Sequence, residues 1–522
     1  MLWIALHLPL LSLEAFCASL PAEAAGGPIA LVAVVDGEHK ISAVNAAAAA
    51  CGIRPGLKRP TALALAGNLL LAQADSRRDS AALQAVVHAA LAFTPAVTGH
   101  DEHTVLLEVQ ASLRLFGGAG RLLQTLRSAL QPLGHRVQIA AAPTALGAAL
   151  LARWFPPALR LQTQTQTLAP HSTDLAALHA LLDAVPVEFL GPGRAHWDAL
   201  QGMGLHTLSD LRQLPRSGLA RRFSQDLLDD LDRAYGLQPD PRCWITVPAV
   251  FESRLELFAR ADSSEQVLHG AAVLLARLVV WARARQSRVA AFTLCMQHEP
   301  RHSDNAAPAT ELQVQLAEPA LDAAHLQLLL RERLANAQLP APTLELRLVC
   351  SQLVHASPPN GELFPTRGSQ QQGLTRLLER LRARLGDAQV LRLQAVADHR
   401  PERATLAVPV QSLPASLPAS TAKAQDDIGR SETPALPLHR PAWLLPESLP
   451  LAERDAMPCL DGRPLRLLSG PERIETGWWD DDPVARDYFI AQAGDGALVW
   501  VWRGRLPAPP GAVNWFLQGR FG

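Results

Sequence analysis

The chain has 522 residues, 48 basic and 49 acidic side chains, a formal net charge of -1 and a hydrophobic fraction of 48%. Such a length exceeds a single hydrophobic core and calls for several domains of about 100–150 residues. The near-neutral charge excludes a uniformly basic polyanion binder, and past the N-terminus no run approaches the roughly 18 apolar residues that a membrane span requires.

The first stretch, MLWIALHLPLLSLEAFCASLPAEAAGG, has the outline of a signal peptide, with small residues from Ala22 to Ala25 after an apolar run. A signal peptide needs a basic leading segment. No Lys or Arg precedes Lys40, and Glu14 lies inside the apolar run. The stretch reads instead as the first strand and helix of a cytoplasmic protein, with export as the alternative. Six cysteines (Cys17, Cys51, Cys243, Cys295, Cys350, Cys459) lie far apart without metal-ligand spacing, which fits a reduced chain without structural zinc.

Helical, Ala-rich sequence follows to about Leu71. HTVLLEVQASLRLFGG then predicts a strand with Val105, Leu107 and Val109 on one side, ending in a Gly-Gly turn. RLLQTLRSALQPLG has helical spacing and leads into VQIAAAP, a short apolar strand, so this part is α/β.

From Leu181 to Pro241 the pattern changes to short helices. Gly191-Pro192-Gly193 and Gly202-Met203-Gly204 bracket a helix and precede Thr207 and Asp210. That is the pattern of a helix-hairpin-helix, whose tight turn aims backbone N–H groups at a phosphate; a plain helical hairpin with glycine caps has the same pattern. Basic residues cluster at Arg221 and Arg222, from Arg277 to Arg288 and from Arg376 to Arg384. They allow nucleic-acid contacts and equally suit solvated helix faces.

Between Phe251 and Leu353 the order is strand, helix, strand, strand, helix, strand, a split βαβ arrangement. A Pro/Ser/Ala-rich linker runs from about Pro409 to Pro441. The remaining tail holds Trp443, Trp478, Trp479, Trp500, Trp502 and Trp515, which predict the core of a small β-rich domain or a hydrophobic docking surface.

The segment ending LRLFGG, the preceding CGIRPG, the hairpin and the split βαβ module together resemble the Y family of translesion DNA polymerases. The tail motifs ADHRPERA, RPAWLLPE, GPERIETGWWDDDPVARDYFIA and WFLQGRFG are similar to the ImuB branch, a catalytically degenerate member of that family. The resemblance implies a multi-domain α/β and α+β fold: palm-like 1–10 and 72–165, fingers-like 11–71, thumb-like 166–243 and little-finger-like 244–355. A clamp-binding peptide and helical segment (356–408), the linker (409–441) and a partner-docking tail (442–522) would follow.

In active members, acidic side chains on two palm strands hold two magnesium ions, which demand hard oxygen ligands. This chain offers His7 and Pro9 on the first strand, and the family's Asp-Glu pair falls on His103 and Thr104. The fingers residues that grip the triphosphate align with Ala46 and Ala49, and the later lysines with Ala145 and Ala149. The expectation is therefore no catalytic residue, no metal and no cofactor. The rival is a magnesium-dependent polymerase using Asp101, Glu102 and Glu108, with a bulge bringing Asp101 and Glu102 to the site.

Sliding-clamp ligands are extended peptides whose Leu and Phe fill an apolar pocket. Asn360, Gly361, Glu362, Leu363 and Phe364 give an imperfect copy, with Gln352-Leu353 as a weaker one and an incidental linker sequence as the plain reading. DNA contacts are expected at Gly191, Gly193, Gly204, Arg221 and Arg222, and partner docking at Trp478 and Trp479. The implied role is a non-catalytic adapter in error-prone translesion synthesis and damage-induced mutagenesis. The implied partners are damaged primer-template DNA, the β sliding clamp, an error-prone DnaE-type polymerase and a RecA-like ImuA-type protein, with no membrane.

Overall fold

The structure is a computed structural model that describes residues 1–35, 37–154, 174–300, 309–355, 367–410, 440–441, 443–480, 482–505 and 514–521. The chain folds into two bodies, Met1–Arg384 and Leu385–Gly522.

The first body starts with strand β1 (Trp3–His7), in which Ile4, Ala5 and Leu6 are buried. Helices α1 (Leu11–Cys17) and α2 (Ala22–Ala25) come next. The segment read as helical to Leu71 then departs from that expectation and builds a sheet. Strand β2 (Ile29–Val35) pairs antiparallel with β3 (Glu38–Val44) and parallel with β4 (Leu70–Gln73). Helices α3 (Ala46–Ala50) and α4 (Arg59–Leu65) connect them. The β2 sequence IALVAVV is apolar without alternation, a pattern that a buried strand shares with a buried helix.

Helix α5 (Ser76–Leu91) is capped by Asp75, whose carboxylate accepts the Arg77 and Arg78 N–H groups. Strands β5 (Val97–Asp101) and β6 (Thr104–Glu108) form a hairpin. The chain then leaves the strand early. The residues expected to extend it form a short 3-10 turn and helix α6 (Leu113–Phe116), and Gly117 and Gly118, with φ +72 and +104, reverse into α7 (Ala119–Leu130). Strand β7 (Gln138–Ala142) and helix α8 (Ala145–Arg153) complete the unit.

The resulting antiparallel sheet has the order β5-β6-β1-β7. Because strand side chains alternate, Leu2, Ile4 and Leu6 enter a core with α5 and α7, while Trp3 and Ala5 enter another with α8. The helices α9 (Leu175–Leu182), α10 (Gly191–Ala195), α11 (Trp197–Gly202), α12 (Leu208–Arg212), α13 (Arg216–Arg222) and α14 (Gln225–Tyr235) follow, and all but α10 send buried side chains into that second core. The Tyr235 hydroxyl and Arg212 both donate to Asp183 at 2.7 Å, tying the two ends of this helical segment together.

The next module runs β8 (Phe251–Ala261), α15 (Ser264–Ala284), β9 (Ser287–His298), β10 (Ala309–Ala320), α16 (Ala323–Asn336) and β11 (Thr343–His355), the βαββαβ order expected from sequence. Its antiparallel sheet has the order β10-β9-β11-β8. Helix α15 is long and apolar enough to cross a membrane, yet most of its apolar stretch is buried inside this body. Gly270 lets it sit close to the sheet, since a Cβ there would meet Leu346 at 2.9 Å. Helix α17 (Arg367–Leu385) is anchored by buried Glu379, which accepts from the Ala317 and Glu318 N–H groups and pairs with His325 at 2.7 Å.

The second body opens with the hairpin β12 (Leu391–Ala395) and β13 (Thr405–Pro409). Its main sheet is built from β14 (Trp443–Arg454), β15 (Met457–Leu460), β16 (Arg463–Pro464), β17 (Arg466–Thr476), β18 (Val484–Gln492), β19 (Leu498–Gly504) and β20 (Trp515–Arg520). The strand order is β16-β15-β14-β20-β19-β18-β17. Trp500 and Trp515 are core residues, and Trp502 stacks on Phe516 at 4.2 Å. This body begins before the expected tail at 442, because the hairpin is fastened to it by side chains described below.

Candidate functional site

β1 and β6 end together, with His7 paired in register with Thr104. His7 Nδ1 lies 2.9 Å from the Thr104 hydroxyl, and Thr104 is fully buried. Burial draws the His7 pKa down to about 4, with Asp101 pulling the other way, so the imidazole is neutral at ordinary pH. A register shift in the hairpin brings Asp101 opposite Thr104, so the bulge does deliver this carboxylate. Burial alone raises the Asp101 pKa. The His103 N–H at 2.8 Å, the Thr104 hydroxyl and nearby positive charge outweigh it and hold the carboxyl below its usual range.

Asp101 is already engaged. Arg153, the last residue of α8, stands 3.8 Å from it and donates to the Phe189 carbonyl at 3.3 Å. Glu102 is exposed at the hairpin tip. Glu108 pairs with Trp3 at the opposite end of the strands, about 14 Å away at roughly 3.4 Å per residue. The trio Asp101, Glu102 and Glu108 therefore does not assemble. Among the described residues no group of three or more His, Cys, Asp or Glu is arranged to hold a metal. A neutral imidazole, a hydroxyl and one ion-paired carboxylate do not fit magnesium, which takes hard oxygen ligands in near-octahedral geometry.

The phosphate-gripping positions carry no cations either. Ala46 and Ala49 are exposed on α3, while Ala145 and Ala149 are buried on α8 against β1 and the helical segment. A lysine at either α8 position would have to be buried in an apolar core.

In the hairpin, the glycines do three different jobs. Gly191 starts α10. Gly193 is buried against the Val187 carbonyl and leaves no room for a Cβ. Gly204 adopts φ +76 and its N–H is committed to the Gln201 carbonyl at 2.9 Å, so it closes a turn instead of presenting a donor to phosphate. Thr207 and Asp210 form a capping box on α12. Arg221 and Arg222 are exposed at the end of α13, with no ion-pair partner among the described residues.

Comparison with known proteins gives the context for this geometry. The impB/mucB/samB family model matches residues 14–153. Protein ImuB of Caulobacter vibrioides (strain NA1000 / CB15N) is 28% identical over 489 residues, covering 90% of this chain and 100% of the relative. The same protein of strain ATCC 19089 / CIP 103742 / CB 15 matches equally. The chain is thus similar to Protein ImuB along most of its length, and to the impB/mucB/samB family over residues 14–153.

Among solved structures, an insertion ternary complex of Dbh DNA polymerase aligns with a TM-score of 0.38 at 12% identity, covering 68% of this chain and 99% of that one. DinB from Sulfolobus solfataricus aligns with a TM-score of 0.36 at 14% identity, covering 67% and 98%. The assignment rests on the sequence matches.

In the second body, Trp478 and Trp479 are 74% and 57% exposed and meet edge to face at 4.7 Å. Their loop is held from beneath. Arg400 is 1% exposed and donates to Asp398 at 2.7 Å and to both carboxylate oxygens of Asp480, at 2.5 and 3.0 Å. Arg403 adds bonds to Asp480 and Asp482 at 3.0 and 2.7 Å. Gly477, at φ +85, lies against the Asp482 carbonyl where a Cβ has no space. Two motifs about 80 residues apart are thus one clip. The sequence signal was complementary charge, Arg-x-x-Arg in HRPER against the acidic run of WWDDDP. Arg153 had no such signal.

Asn360, Glu362, Leu363 and Phe364 lie outside the described residues. Gln352 and Leu353 are locked in β11 opposite Ala291 and Val289, so that weaker copy is not a free extended peptide.

Two predictions follow from these contacts. His7 gains a proton more readily in the unfolded chain, near pH 6.5, than in the folded one, near 4, so it contributes stability that is present above about pH 6.5 and lost as pH falls through that window. Denaturant midpoints measured from neutral to mildly acid pH should fall for the wild type and fall less for His7→Asn. Arg400→Ala should lower the thermal midpoint of the second body and increase quenching of the Trp478 and Trp479 fluorescence by a soluble quencher, while Arg403→Ala, which removes a half-exposed partner, should do less.

Proposed function

We propose that this chain is a non-catalytic adapter in translesion synthesis and damage-induced mutagenesis. The observation that carries the reading is the His7–Thr104 bond, with Asp101 already neutralised by Arg153, at the ends of the two strands where active relatives need metal-binding carboxylates. A site whose carboxylate is spent on an arginine and whose remaining groups are nitrogen and hydroxyl has no means of charging a nucleophile for nucleotidyl transfer.

DNA binding in this chain is read from its sequence likeness to Protein ImuB and to the impB/mucB/samB family. Residues 1–10 and 72–165, 11–71, 166–243 and 244–355 serve as palm, fingers, thumb and little finger. They grip damaged primer-template DNA through its backbone without reading sequence. Gly191 and the exposed Arg221 and Arg222 are the candidate phosphate contacts. Gly193 supports the turn by its close packing.

The peptide around Leu363 and Phe364 docks on the β sliding clamp, with Asn360 and Glu362 fixing register. Trp478 and Trp479, rigidly presented, fit the description of aromatic interface anchors. They are the proposed docking point for the cassette's other members, an error-prone DnaE-type polymerase and a RecA-like ImuA-type protein. Expression under the SOS response and a cytoplasmic location belong to the same reading.

The test is clamp retention by the full chain, together with damage-induced mutation frequency in cells. Leu363→Ala combined with Phe364→Ala should abolish both, while Asp101→Ala should change neither. Mutagenesis that survives the double substitution would remove the clamp assignment.

A further inference from the structure

Away from His7 and Thr104, a cleft of about 1300 Å³ opens between α5 and the edge strand β8. Its lining includes three side chains with unspent hydrogen-bonding capacity. Arg277, on α15, is only 4% exposed, and its guanidinium meets just two neutral acceptors, Ser253 Oγ at 3.2 Å and, more distantly, the Arg254 carbonyl at 3.5 Å. No carboxylate stands within ion-pair distance of it among the described residues, and burial draws its pKa down to about 10.

His88, on α5, is 8% exposed and has no hydrogen-bond partner among the described residues. Burial lowers its pKa to about 4 and keeps it neutral. Arg78 stands 3.9 Å from the Asp79 carboxylate and over the Phe16 ring, and its Nη2 donates to the Gln73 carbonyl at 2.7 Å, while its Nε is buried without a hydrogen-bond acceptor. A buried guanidinium without counter-charge weakens the fold unless something anionic joins it. Arg277 is that group here, and the Nε of Arg78 and the ring of His88 bring unspent donors to the same cavity, which together describe a binding site for an anion.

The mouth limits the shape of that anion. Asp75, Glu252 and Glu256 are exposed around the cleft together with Arg77 and Arg254, and half-buried Glu345 adds a further carboxylate to its lining. Glu252 is paired with Arg254 at 2.9 Å, but Glu256 has no ion-pair partner among the described residues. A polyanionic strand laid across the opening would run past these carboxylates. A compact ligand would pass them once and place its charge on the buried nitrogens.

We propose that this cleft binds a compact phosphate-bearing small molecule of nucleotide size, its phosphates held by Arg277 and Arg78 and a neutral donor supplied by His88. The volume exceeds that of a usual small-ligand pocket, which leaves room for the body of a nucleotide. The site lies away from the His7–Thr104 strand ends and does not depend on the adapter reading.

The experiment is calorimetric titration of the full chain with inorganic pyrophosphate, a deoxynucleoside triphosphate and a short oligothymidylate. Both small ligands should bind saturably. Arg277→Met, which fills similar volume and removes the buried charge, should fold at least as well and weaken both by about tenfold or more. Glu256→Gln, at the exposed mouth, should tighten both. Failure of wild-type protein to bind either small ligand would overturn the proposal. So would binding that ignores both substitutions, or an oligothymidylate that binds more tightly than the triphosphate with the same dependence on Arg277.

Discussion

Strand β1 is hydrogen-bonded on both sides, to β6 and β7, and its alternating side chains enter two different cores. A one-residue slip would exchange those two sets of side chains, so the register that sets His7 opposite Thr104 is fixed by everything around it. On the proposed reading, such a frame holds its shape without the metal chemistry of active relatives. Carboxylates at the strand ends contribute to catalysis, whereas Ile4, Leu6, Val105 and Leu107 contribute to the fold, and substitution of the first set leaves the second untouched.

The polar groups at the ends of β1 and β6 satisfy one another. A neutral histidine bonded to a buried threonine, and an aspartate held by His103 and Arg153, satisfy polar groups that an empty metal site would leave in mutual repulsion. The same economy of satisfied charge recurs in the second body. Arg400 is buried, and it is tolerable there because Asp398 and Asp480 surround it. That clip gives Trp478 and Trp479 a fixed footing while they remain exposed, as the proposed docking role requires. Arg277 is the exception, a buried arginine with no such escort.

Much of this could be read from the sequence. The βαββαβ module followed from clean alternation in strands such as TELQVQLA and a long amphipathic helix between them. The pairing of His7 with Thr104 was within reach because LRLFGG gave a point to count from, even though those residues turned out to be helical and not strand. Other features were hidden for physical reasons. The β2 run has no alternation, so the fingers-like sheet was invisible. Gly193 and Gly204 looked alike, and only backbone geometry separates a close approach from a left-handed turn. Arg153 and Arg400 act through partners many residues away, and a single sequence does not disclose which distant carboxylate an arginine will meet.

The central claim is that the palm has no nucleotidyl-transfer chemistry. Primer extension by the purified full chain, on undamaged and lesion-bearing templates with magnesium and then manganese, tests it directly. The account predicts no extension from a preparation that still shifts primer-template DNA in a gel. Extension that disappears in Asp101→Ala would contradict it and mean that Asp101 leaves Arg153 to rebuild a metal site.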